Sequence, residues 1–145
     1  MSLQPRGIRN NNPGNIRWGS DWKGLVPQNQ RTDKSFCQFF EPKWGIRAIA
    51  RILLNYRSRT GMIGVGNAGI DTIREIICRW APPNENDTEA YIQAVARSCG
   101  VQTDQPLNLA DRPLMLNIVK AIIKHENGVQ PYTDKVLLDG INLAY

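Results

Sequence analysis

The chain has a single histidine, His125, and only three cysteines, Cys37, Cys78 and Cys99, in 145 residues. No two cysteines stand in a Cys-x-x-Cys spacing, which leaves a structural zinc site without its usual ligands. An odd number of widely separated thiols reads as reduced cysteine rather than a disulfide framework. No run of about 18 apolar residues occurs, so no helical membrane insertion is expected. The opening Met1-Ser2-Leu3-Gln4-Pro5-Arg6 lacks the apolar core of a secretory signal, and no signal peptide is expected. Acidic residues are outnumbered, 13 against 18 basic ones, for a net charge of +5. That balance attracts polyanions, whether nucleic acid, anionic lipid or an acidic cell-wall polymer. The basic residues are spread rather than blocked, which argues against a dedicated nucleic-acid tail.

What is present suits one globular domain with its own core: 41% of residues are apolar and 21% charged. Residues 6–41 hold Gly7, Pro13, Gly14, Gly19, Gly24 and Pro27 among Asn and Gln, and read as turns with a short strand at 36–40, closed by Pro42. From Trp44 the period changes. Ile46, Ile49, Ala50, Leu53 and Leu54 share one face of a helix expected over 43–59. Residues 61–69 contain Gly64-Val65-Gly66-Asn67-Ala68-Gly69, which spells a dinucleotide-binding glycine pattern but follows a basic helix instead of a buried strand, and so reads as a loop. Thr72 and Glu75 form a capping-box signature for a helix to Trp80, stopped by Ala81-Pro82-Pro83. Asp87 or Thr88 starts a helix with Ala90, Tyr91, Ala94 and Val95 inward and Gly100 at its end. Thr133 or Asp134 starts the last, carrying Val136, Leu137, Ile141 and Leu143. The sum is a mainly α, α+β domain of about five helices and a small N-terminal strand and turn region.

The fourth of these helices carries the strongest chemical signal. Leu114, Ile118 and Ile122 fall in one row, with Met115, Val119 and Ile123 beside it. Glu126 extends the first row, just before a glycine suited to ending the helix. A carboxyl group emerging from an apolar stripe is expected to be desolvated and to hold its proton toward neutrality, as a general acid must. The bland alternative is a glutamate turned to solvent, or capping a neighbouring backbone.

At the other end, Arg6-Gly7-Ile8-Arg9-Asn10-Asn11-Asn12-Pro13-Gly14-Asn15-Ile16-Arg17-Trp18-Gly19 is dense in amides. Amides donate and accept at once, which suits sugar hydroxyls and N-acetyl groups, and Trp18 and Trp22 could stack on a pyranose face. Asn11, Asn12, Asn15, Arg17, Trp18, Trp22 and His125 are therefore the substrate-binding candidates. The same residues could instead build turns and fill the core, or Arg6, Arg9, Arg17 and Lys23 could contact phosphates.

The run Ala121-Ile122-Ile123-Lys124-His125-Glu126-Asn127-Gly128 resembles the catalytic helix of lysozyme-like lytic transglycosylases, in which Glu-Ser-Gly is usual; Asn127 replaces that serine. Asn12-Pro13-Gly14-Asn15-Ile16 resembles the glycan-binding segment of lysozyme-like glucosaminidases and transglycosylases, with Phe39, Phe40 and Gly45-Ile46-Arg47 like its continuation. In those enzymes the glutamate precedes the amide segment, and here it follows, an order that circular permutation would reconcile. Most of the chain also resembles small phage-encoded proteins, labelled structural or virion proteins, that open with Arg-Gly-Ile-Arg-Asn-Asn-Asn-Pro and carry His-Glu-Asn-Gly near the end.

The resemblance implies a lysozyme-like fold and a peptidoglycan-degrading glycosidase, with Glu126 protonating the oxygen of a β-1,4 glycosidic bond. A hydrolase needs a second carboxylate, for which Asp33 is the first candidate and Asp21 and Glu41 the others; a lytic transglycosylase can rely on the substrate's N-acetyl group. No cofactor or metal is implied. The expected partner is the peptidoglycan glycan strand, with other virion proteins as further partners. The expected place is a phage virion, or the host cytoplasm before release to the periplasm or cell wall. Two rivals remain at this level: a peptidoglycan amidase using Cys37 and His125, and a non-enzymatic virion component.

Overall fold

The computed structural model describes residues 4–58, 69–81 and 87–145, and the glycine pattern up to Ala68 lies outside them, as do Arg59, Pro82 and Pro83. Six helices occur among the described residues: α1 Arg6–Arg9, α2 Pro42–Asn55, α3 Ile73–Trp80, α4 Thr88–Cys99, α5 Arg112–Asn127 and α6 Asp134–Ala144. The protein is mainly α. The backbone divides into two compact units, one of residues 1–51 with 122–145, the other of residues 52–121.

In the first unit the expected strand at 36–40 is not a ladder. It is reduced to two isolated antiparallel bridges, Arg17 with Phe36 and Leu25 with Phe39. The cause is visible in its hydrogen bonds, which alternate between two partners. Cys37 and Phe39 donate to the carbonyls of Ile16 and Asn10, at 2.8 and 2.9 Å, whereas Phe40 donates to Gly24 and Gln38 accepts from Val26 at 2.9 Å. Each neighbour is too short and too curved by turns to run alongside. Cys37 and Phe39 are buried with Ala48, and Ile16, Trp18, Trp22, Leu25 and Trp44 pack on them.

The opening residues, expected to be irregular, contain α1. A four-residue helix has too few positions to display a period. Asn11 and Asn15 adopt left-handed φ values of 53° and 52°, a conformation that asparagine tolerates better than most residues. Helix α2 ends at Asn55 and tightens into a 3-10 turn at Tyr56–Ser58, shorter than the expected 43–59. Its Ile46, Ala48, Ile49 and Ala50 are buried. Helix α6 lies against it at a glycine: a Cβ on Gly140 would stand 2.7 Å from both Ile46 Cγ2 and the Lys43 carbonyl. Arg47 and Arg51 of α2 donate to the Leu143 and Ala144 carbonyls at 3.2 and 2.9 Å, which supplies partners and positive charge to the open end of α6. The buried stripe of α6 is Leu137, Gly140, Ile141 and Ala144, with Leu143 44% exposed, so Gly140 and Ala144 replace Val136 and Leu143 in the expected face.

The second unit holds α3 and α4, packed on one another. Thr72 and Glu75 form the expected capping box. Asp87 caps α4, and Gly100 ends it at φ 67°. The buried face of α4 is Tyr91, Ile92, Val95 and Ala96. Ala90 is exposed, because the larger Ile92 takes the inward position that the pattern had allotted to alanine. Arg74 of α3 reaches Glu89 at 2.7 Å and Asp104 at 3.2 Å. Asp71, just before α3, has its carboxyl pushed above the ordinary range by burial and by Glu75 beside it.

Candidate functional site

Glu126 lies in the last turn of α5, in the row of Leu114, Ile118 and Ile122, the last two fully buried. Burying each such isoleucine contributes roughly 1.5–3 kcal/mol, so the row fixes the rotation of the helix and with it the direction of Glu126. The stripe runs out where the helix ends: Lys124 and His125 are exposed, and Glu126 and Asn127 are half-buried. Gly128 follows at φ 76°, the left-handed terminator expected there.

The turn of the opening segment meets this helix end. Asn15 Nδ2 points at Glu126 Oε1 across 3.4 Å, a long and weak hydrogen bond. Asn127 Nδ2 donates to the Pro13 carbonyl at 2.8 Å and to the Ile123 carbonyl of its own helix at 2.9 Å. Two residues that are 111 positions apart are thereby held side by side. Gly7 is required at the junction, because a Cβ there would stand 2.6 Å from Asn127 Oδ1, 2.7 Å from Asn15 Oδ1 and 2.8 Å from the Asn12 carbonyl.

Several of the other site candidates are committed to the scaffold. Asn12 is fully buried. Its amide donates to the Ile16 and Cys37 carbonyls at 2.9 and 3.0 Å and accepts from the Ile16 N–H at 3.1 Å, and so it closes its own turn onto the 35–40 segment. Asn11 donates to the Phe39 carbonyl at 3.0 Å. Trp18 donates its indole N–H to the Asp33 carbonyl at 2.7 Å, and its ring is covered by the Arg31 guanidinium at 4.0 Å. Trp22 is half-buried against the Cys37 and Phe39 cluster. Arg17 is exposed, its guanidinium 4.8 Å from the Phe36 ring centre, with Arg6 4.5 Å from the same ring. His125 is exposed.

Asp33 is a structural anchor. Its oxygens accept from Arg6 twice at 2.7 Å, from Asn10 at 2.9 Å, and from the Ser35 and Phe36 backbone N–H groups at 2.9 Å. The Arg6 guanidinium, with the other donors, holds the carboxyl far below the usual carboxylate range. A group so strongly held as the anion, with its lone pairs occupied, is poorly placed to shuttle protons.

The Cys37 thiol is fully buried, makes a 3.4 Å contact to the Arg17 carbonyl, and is pushed toward the protonated form by burial. Thiolate chemistry needs the opposite environment.

Sequence reasoning missed Gly7 and the docking role of Asn127. The signal was present only as an oddity, an asparagine where the resembling enzymes have serine. It also missed where the surplus charge lies. Six basic and two acidic residues fall within the first forty positions, against twelve and eleven in the rest, so nearly all of the excess belongs to this segment.

No family model matches the chain. It is 43% identical over 144 residues to Protein P5 of Pseudoalteromonas phage PM2, an alignment covering 97% of this chain and 82% of that protein. The chain belongs to the phage Protein P5 family. A likeness along nearly the whole length takes in both the amide-rich opening and the α5 terminus. Among the described residues no helix is long and apolar enough to cross a membrane.

Proposed function

We propose that this Protein P5 relative is a virion-associated, lysozyme-like glycosidase of circularly permuted order that cleaves the β-1,4 glycan strand of peptidoglycan, with Glu126 as general acid. The observation that carries the reading is the approach of Asn15 Nδ2 to Glu126 Oε1 at 3.4 Å. It sets the carboxyl at the end of an apolar row beside an amide of the opening turn whose donor is aimed at it. Protonation of the glycosidic oxygen would break the C–O bond through an oxocarbenium-like transition state. Since Asp33 is consumed by Arg6, the single-glutamate route of a lytic transglycosylase, assisted by the substrate's N-acetyl group, is the better supported form. Arg17, exposed and resting on Phe36, would meet carboxylates of the wall polymer.

Zymography in gels containing purified peptidoglycan tests this: the native chain clears the gel and Glu126→Gln does not. A second reading, a non-enzymatic virion component, is favoured by one observation. The amides of Asn11 and Asn12 are spent on backbone carbonyls, which is scaffold work. Gels left opaque by both proteins would support it.

A further inference from the structure

Two buried side-chain oxygens, Asn15 Oδ1 and Asn127 Oδ1, lack a hydrogen-bond donor among the described residues. They converge, with the Asn12 carbonyl, on the position where Gly7 would carry a Cβ. The Asn12 carbonyl accepts the Asn15 backbone N–H at 3.0 Å, whereas the two amide oxygens beside it have only the weak C–H donor of the glycine, an unstable arrangement for buried groups. Asn127 cannot relieve it. Its Nδ2 already serves two carbonyls, and turning the amide would set an oxygen against both. Asn15 can. Rotated by half a turn, its Nδ2 enters the cluster as the missing donor, and its Oδ1 swings to face Glu126 Oε1. That contact is favourable only when Glu126 carries a proton to give.

We propose that Asn15 is a positioning residue whose amide turns with the proton on Glu126. It accepts from the acid and donates to the carboxylate, and in the first of these orientations its Nδ2 faces the Gly7 cluster. In a general-acid step the O–H proton of Glu126 passes to the glycosidic oxygen as the C–O bond breaks, its electron pair stays on that oxygen, and the oxygen of the substrate's N-acetyl group closes onto the anomeric carbon. The carboxylate left behind then receives the Asn15 N–H. This catalytic use rests on Glu126 being the acid, but the turning of the amide does not. The other charged or titratable groups on the elements carrying the contact are Arg112, Lys120, Lys124 and His125 on α5 and Arg6, Arg9 and Arg17 on the opening segment. Only a histidine among these residue types changes charge near neutrality.

The test is NMR on the full chain, following the two Asn15 side-chain N–H resonances and the Glu126 side-chain carboxyl carbon through a pH titration, in the native protein, in His125→Gln and in Glu126→Gln. The expected result is that the amide resonances move in step with the Glu126 carboxyl carbon, still do so in His125→Gln, and stop doing so in Glu126→Gln. Amide resonances that stay put while Glu126 titrates overturn the proposal, whether or not the protein cuts peptidoglycan. An amide that follows Glu126 in a protein that cuts nothing sustains the coupling and defeats the glycosidase reading. Asn15→Gly supplies the kinetic arm, because its backbone φ of 52° suits glycine. It is expected to lower kcat about tenfold with KM held, and an unchanged kcat would remove Asn15 from the catalytic step.

Discussion

Arg6 and Asp33, 27 residues apart, are joined by two N–H···O contacts of 2.7 Å each. The fork-to-carboxylate geometry closes the opening helix onto the loop before the 35–40 segment. Asp33→Ala removes five accepted hydrogen bonds at once and is expected to lower the unfolding free energy by about 2–3 kcal/mol, read by urea denaturation.

Acid should expose the same contact. The folded state holds Asp33 below its ordinary range, so on acidification the unfolded chain takes up this proton first. The contribution is complete above the ordinary carboxylate pKa near 4 and fades as pH falls below it toward the depressed folded value. Between about pH 5 and 2 the native protein loses stability more steeply than Asp33→Asn. Parallel slopes for the two in thermal melts would contradict the assignment.

Gly140 reverses the usual helix rule. Alanine in a helix normally stabilises over glycine by about 0.5–1 kcal/mol. Here its methyl would enter the space of Ile46 Cγ2 and the Lys43 carbonyl. Gly140→Ala is therefore expected to destabilise by about 1–3 kcal/mol, and a raised melting temperature would refute the close packing of α2 on α6.

The thiols should separate by reactivity. Cys78 is exposed, Cys99 is half-buried with its thiol pushed by burial to about 11, and Cys37 is buried. Timed alkylation with iodoacetamide and mass spectrometry is expected to modify Cys78 first and to leave Cys37 intact until unfolding. Peptidoglycan cleavage retained in Cys37→Ala argues against thiol catalysis; rapid capping of Cys37 with loss of cleavage would restore the amidase.

The helices were legible because their signals are local. Thr72 with Glu75, Asp87 with Gly100, and Thr133 before α6 are caps that a short window contains, and the Ile118 and Ile122 row announces both α5 and the place of Glu126. The N-terminal segment was not legible, because its order comes from contacts distant in sequence: Asn12 with Cys37, Arg6 with Asp33, Asn127 with Pro13. An asparagine that closes a turn and one that meets a sugar are written identically. The structure shows Asn12 closing its turn and Asn15 with its donor toward Glu126.

The charge surplus of the opening segment gives a salt-dependent prediction. Arg17 and Arg31 rest on Phe36 and Trp18, exposed and held in place by those rings. Replacing both by Gln is expected to weaken co-sedimentation with peptidoglycan roughly three- to tenfold at low ionic strength, with the difference shrinking as salt screens it. Equal binding by both proteins at low salt would place the attachment elsewhere.

The most direct measurement is mass spectrometry of the fragments released from purified peptidoglycan by the native chain and by Glu126→Gln. The account predicts glycan fragments cut at the β-1,4 linkage from the native protein, and release reduced by about 10²-fold or more in Glu126→Gln. Intact glycan strands from the native protein, or equal release by the two, would contradict it.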